Sequence, residues 1–327
     1  MSKRVKDTDY ICLSAILRAK EARLLNRAKL DRMVSEASFA DACRIAVEAG
    51  YEDMSGMNVA EVNASLVARR AAEFAEIREM LPDENIMDLY RMRYGYHNAK
   101  VLVKSKGDPQ VNASMFSQSS RYSIEQLLEA YNAEEYLGPM PVVYAQAIRD
   151  ARLALARTNN PQLADFILDK AYYAEELKEA DKLKKPFFRE FVRHRIDRTN
   201  LCSTLRTMYM GKRGELLQHA LIEGGHISVD EILNSMETKD DLIRLYSATI
   251  FRKAAEAPNM TEFEKEAENA LRDFLIGGNF VTFGPEVVVE YMAAIENEIV
   301  SLRIILTGQL MGIDAETLRE RLRESYV

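Results

Sequence analysis

The sequence predicts an all-α protein, and three observations predict it: glycine and proline are scarce, apolar residues recur at helical spacing, and start and stop signals bracket those stretches. Only 14 glycines and 8 prolines occur in 327 residues, and Ala, Leu, Glu, Lys, Arg and Met, which lose little freedom in a helix, fill the intervals. With 47% hydrophobic and 29% charged residues the chain can bury a large core and is long enough for two or three domains.

Along the chain, residues 14–35 repeat Ile16, Leu17, Leu24, Leu25, Leu30, Met33 and Val34 with charged residues between them, which predicts one amphipathic helix. Ser123 with Gln126, and Ser228 with Glu231, have capping-box spacing and predict helix starts. The short run Pro141, Val142, Val143, Tyr144 lacks period-2 alternation and hairpin turn residues, so it too is expected to be helical. Asp240 and Asp241 suit a helix N-terminus, where the helix dipole favours negative charge. The clearest helix runs from Glu286 to about Gln309, with Gly284 and Pro285 as start signals and Gly308 and Gly312 as stop signals.

Three segments share an order of features at a period of about 100 residues. The first has Pro82, Asn98, Lys104, Gly107 and a helix start at Ser123. The second has Pro186, Asn200, Arg206, Gly211 and a start at Ser228, and the third Pro285, Asn297, Arg303, Gly308 and a start at Asp314. The expected units are 1–135, 136–236 and 237–327. Each asparagine precedes its basic residue by six positions, which leaves the two side chains about 120° apart around a helix, so they cannot pair on it. One reading has the six residues contacting a neighbouring repeat or partner; the other has the asparagine bonding a crossing backbone while the basic side chain lies along the packed face.

Signatures of catalysis are missing. No phosphate loop ends in Gly-Lys-Ser or Gly-Lys-Thr, no dinucleotide fingerprint follows a strand, and Gly211, Lys212, Arg213, Gly214 is too short for either. His97, His194, His219 and His226 do not fall at metal-ligand spacing along the chain, so structural or exposed roles are expected and no metal or cofactor is assigned. Met208, Met210, Met292 and Met311 suit either core filling or an adaptable docking surface. Cys12, Cys43 and Cys202 are odd in number and widely spaced, as expected for reduced thiols. A net charge of −7 argues against nucleic acid as the main partner. No long apolar run and no apolar signal core follow the N-terminus, so a cytoplasmic protein without direct membrane insertion is expected.

The C-terminal forty residues carry a resemblance. The run Gly284, Pro285, Glu286, then Tyr291, then Ala294 to Ile299, Leu302 to Leu306 and Gly308 to Ile313 resembles the closing signature of the C/d family of V-type and archaeal A-type ATPase subunits. The ending from Leu318 to Val327 is similar too, and Tyr10 with residues 18–25 resembles the family's opening helix. Ile295 and Gln309 stand where the family pattern has lysines. The resemblance implies three similar helical domains in a pseudo-three-fold, funnel-like arrangement. It also implies a non-catalytic central-stalk rotor subunit, peripheral on the cytoplasmic face of the membrane. Its implied partners are the central axle subunits of the ATP-hydrolysing head and the membrane proteolipid ring, coupled for proton or sodium transport. The alternatives are a generic α-helical repeat scaffold, whose units of 33 to 47 residues are shorter than the period here, and, more remotely, an enzyme with an all-helical carboxylate or metal site.

Overall fold

A computed structural model describes residues 5–105, 108, 115–133, 137–211, 215–235, 238–276 and 281–327. Gly107, residues 212–214 and the expected domain boundaries near 135 and 236 lie outside these. Among the described residues every long element is an α-helix and no strand occurs. The chain divides into two compact units, Met1–Glu84 with Ile250–Val327, and Asn85–Thr249.

The first unit opens with α1 (Ile11–Glu21), α2 (Arg27–Ser35), α3 (Phe39–Glu48) and α4 (Val59–Met80). Residues 14–35 therefore form two helices, not the single one expected. The apolar period continues through the break, so periodicity alone does not reveal it. Asn26 in extended conformation (φ −78°, ψ 169°) caps α2 by accepting from the Lys29 N–H. Leu24 and Leu25 stay buried in the intervening turn.

The second unit comprises α5 (Asn85–Lys104), α6 (Ile124–Asn132), α7 (Val142–Thr158), α8 (Pro161–Lys182), α9 (Pro186–Tyr209), α10 (Glu215–Ala220), α11 (Val229–Ser235) and α12 (Lys239–Tyr246). Helix α8 is its hub and packs against α5, α7, α9 and α10. The local signals act where their chemistry predicts. Ser123 and Gln126 form a capping box before α6. The Glu231 N–H donates to Ser228 Oγ at 3.2 Å and the Ser228 N–H to Glu231 Oε2 at 2.9 Å. Pro141 immediately precedes α7, and Asp241 closes a capping box with Thr238 at the start of α12.

The chain then returns to the first unit through α13 (Arg252–Glu256), α14 (Met260–Ile276), α15 (Pro285–Leu310) and α16 (Ala315–Arg321). Helix α15 has 26 residues, a length of about 39 Å. It packs against α1, α2, α3, α4, α14 and α16. Val287, Val288 and Val289, which point in different directions around the helix, are each 0% exposed, as in a helix buried on all sides. Gly308 does not stop this helix, contrary to expectation. A Cβ there would lie 2.4 Å from the Leu318 side chain, so glycine lets α16 approach. Gly312, at φ +71°, follows the helix end instead. Among the described residues no helix is long and apolar enough to cross a membrane.

Candidate functional site

Helices α5, α9 and α15 each carry one of the asparagines marked by the sequence repeat, and each carboxamide bonds the backbone of a segment beyond its helix. Asn98 donates from Nδ2 to the Ser117 carbonyl at 2.9 Å and accepts from the Ser117 N–H at 2.8 Å. Asn200 does the same with Ile222, at 2.8 Å in both directions. Asn297 donates to the Glu324 carbonyl at 2.9 Å. The partners lie 19, 22 and 27 residues downstream. Asn98 and Asn200 are 0% exposed, and each satisfies one backbone donor and one backbone acceptor, those of half-buried Ser117 and of buried Ile222. A carboxylate could not donate there, and an apolar side chain could do neither.

The basic residues do not share one role. Lys104 Nζ pairs with Asp165 Oδ2 on α8 at 2.8 Å, Arg206 is exposed on α9, and Arg303 is half-buried on α15. The methionines also divide. Met292 is 0% exposed, whereas Met210 and Met311 are 55% and 68% exposed. These two cap the C-termini of α9 and α15, and each precedes a glycine with positive φ, Gly211 at +64° and Gly312 at +71°. Helices α9 and α15 thus each end in an exposed methionine. At the two departures from the family pattern, Ile295 is buried and Gln309 donates from Nε2 to the Met33 carbonyl at 2.9 Å.

Buried charges tie the long helices to their neighbours, and sequence reading did not find them. Glu298 of α15 accepts from the Leu25 N–H and from the Tyr51 hydroxyl, the latter at 2.7 Å. Burial pushes its carboxyl above the usual range, opposed by those hydrogen bonds. Glu290 lies 3.2 Å from Arg18 Nη2; burial nevertheless pushes it up to about 7. Glu73 of α4 receives Lys20 at 3.0 Å, Arg69 at 2.7 Å and the Tyr291 hydroxyl at 3.2 Å. In the second unit, Glu176 of α8 is 0% exposed; it pairs with Arg195 of α9 and accepts from the Tyr172 hydroxyl at 2.9 Å. Burial raises its carboxyl as well, against the pull of Arg195. The Glu73 and Glu176 pairs fix helices against one another, because loss of either member strands a buried charge. Cys12, Cys43 and Cys202 form no disulfide, and burial pushes the Cys43 thiol up to about 11, away from the reactive thiolate.

His194 and His226 are distant in sequence but stack with ring centroids 4.4 Å apart. Helix α9 supplies His194, and the turn before α11 supplies His226. Linear spacing concealed the pair; the visible signals were Glu190 and His194 one helical turn apart and the Gly224, Gly225, His226 run.

Residues 13–321 match the family described as ATP synthase (C/AC39) subunit. The C subunit of the V-type sodium ATPase of Enterococcus hirae is 24% identical over 327 residues, covering 97% of this chain and 99% of that protein. The C subunit of the V-type ATP synthase of Thermus thermophilus is 22% identical, covering 96% of this chain and 98% of its own length. For the C subunit of the A-type ATP synthase of Methanocaldococcus jannaschii the identity is 24%, with 96% of this chain and 86% of that protein covered. An all-α scaffold whose polar groups are spent on joining helices, matched to these relatives over nearly its whole length, has one assignment: the chain belongs to the ATP synthase (C/AC39) subunit family and is a non-catalytic subunit of a rotary ATPase.

Proposed function

We propose that this subunit is the rotor coupling piece of its ATPase, joining the central axle of the ATP-hydrolysing head to the membrane proteolipid ring on the cytoplasmic face. Three similar helical units around a pseudo-three-fold axis, meeting near residues 135 and 236, would present one face to the axle and another to the ring. The observation that carries this reading is the recurring asparagine clamp, in which Asn98, Asn200 and Asn297 on three long helices each bond the backbone of a following segment. Triplication of a rigid motif suits a part that transmits torque, because close-packed interiors deform little. Lys104, Arg206 and Arg303, together with the methionine tips Met210 and Met311, are the candidate interface groups. Methionine adapts to partners of mismatched symmetry, as an adaptor on a ring requires.

Copurification from detergent-solubilised membranes tests the placement. The chain is expected to travel with the proteolipid ring after the head has been stripped off. Recovery with the stripped head alone would assign it to the head.

A further inference from the structure

We infer that Glu190, His194 and His226 form a binding site for a divalent transition-metal ion of the zinc class, held in the second unit between α9 and the turn that precedes α11. Each of the three residues offers one ligand atom, and these atoms all lie within 4.8 Å of one another. Two imidazoles and one carboxylate are the donor set that suits zinc, with a fourth position left for water or another ligand. Glu190 and His194 stand four residues apart on α9, so they project from the same face one turn from each other.

The surroundings resemble the outer shell of a metal site. Asp197 Oδ2 lies 2.6 Å from His226 Nδ1, and Asp197 Oδ1 accepts the His226 N–H at 2.8 Å. That buried carboxylate holds the ring so that Nε2 points at Glu190, as metal-bound histidines are held by a carboxylate on their other nitrogen. Arg193 Nη1 takes the opposite oxygen of Glu190 at 3.1 Å, which turns Oε2 toward the histidines. The turn reaches this depth only because residue 225 is glycine: a Cβ there would lie 2.2 Å from Asp197 Oδ1.

His226 Nε2 and Glu190 Oε2 are 2.7 Å apart, the distance of a shared proton. Tetrahedral bonds of the usual zinc length place ligand atoms roughly 3.4 Å apart. An ion seated here therefore displaces that proton and separates the two side chains by under an ångström, a movement within their rotamers.

The full-length, tag-free chain is treated with chelator, dialysed and titrated calorimetrically with zinc chloride, and Co²⁺ is added in parallel as a spectroscopic probe. One equivalent of zinc is expected, together with the visible absorption of tetrahedral Co²⁺. His194→Ala and His226→Gln should each weaken zinc binding by at least about tenfold, and Asp197→Asn by about 10- to 100-fold, while the exposed His219→Ala leaves it unchanged. Circular dichroism confirms folding of each variant; where His226→Gln or Asp197→Asn fails to fold, His194→Ala alone decides. Absence of stoichiometric zinc binding, or binding that survives His194→Ala undiminished, would overturn the site and leave the cluster an ion pair.

Discussion

Glu298 in the first unit and Glu176 in the second are both buried carboxylates on long helices, yet they are satisfied in opposite ways. Glu176 meets a full positive charge, Arg195, only 19 residues away. Glu298 is held by neutral donors, the Leu25 N–H and the Tyr51 hydroxyl, 273 and 247 residues away. The Glu176 pair thus joins two successive helices of the second unit, α8 and α9. The first unit is closed by joining the two ends of the chain, which brings the ordering of long loops into its folding. Charge pairing suits the local contact, where both members are positioned by adjacent helices. The first unit also holds a distant charge pair, Arg18 with Glu290 at 3.2 Å, so the contrast lies in how Glu298 and Glu176 themselves are satisfied.

Amide replacements test this difference with the largest effects. Glu176→Gln leaves Arg195 buried without its counter-charge and should cost about 3–5 kcal/mol. Glu298→Gln keeps a carbonyl acceptor for neutral donors and should cost only about 1–2 kcal/mol. Urea unfolding measures both, and equal losses would end the distinction.

The asparagine clamps give the next contrast. Asn200→Ala strands a buried N–H and a buried carbonyl of Ile222 and should cost about 2–4 kcal/mol, with Asn98→Ala close behind. Asn297→Ala removes a single, more exposed bond and should cost about 1 kcal/mol or less. Thermal melts of the three variants rank them. A loss at Asn297 as large as that at Asn200 would contradict the reading of the clamps.

Glu290 makes the first unit sensitive to pH. Its folded-state carboxyl is raised to about 7 from an ordinary 4.5, chiefly by burial and against the pull of Arg18. The native state therefore holds this proton more tightly than the unfolded chain does. Its stabilising contribution is complete below about pH 4.5 and is lost as pH rises through about 7. Glu290→Gln should remove this loss, gaining on the order of 1–2 kcal/mol relative to the parent between about pH 5 and pH 8. Denaturant midpoints across that range provide the check; a difference that shrinks with rising pH would reverse the sign. At the small end, Lys104→Ala breaks an exposed pair with Asp165 and should change stability by at most about 0.5 kcal/mol.

What could be read in advance divides along the same lines. Helix α15 was legible to within a residue at its ends because Pro285 and Gly312 act locally, and the caps at Ser123, Ser228 and Asp314 depend only on nearby backbone. The break between α1 and α2 was masked because Leu24 and Leu25 keep the helical period across it, which outweighs the one local mark, the Asn26 cap of α2. Gly308 was misread as a stop because its reason is Leu318, a packing partner beyond the helix. The asparagines were visible as a repeat, but their backbone partners were not. Glu298, Glu176 and the His194 and His226 pair carry no local mark, since their meaning comes from groups that folding brings to them.

The proposed transmission of rotation between head and ring is tested most directly by following ATP hydrolysis and ion uptake together in reconstituted vesicles carrying Ile299→Asp. Ile299 is 2% exposed on α15, so a carboxylate there should cost several kcal/mol, about 3–5, and loosen the joint. Native electrophoresis reports whether the altered subunit remains in the complex. The account predicts that the head continues to hydrolyse ATP while ion uptake is lost. Normal ion uptake by complexes that lack the altered subunit would contradict it.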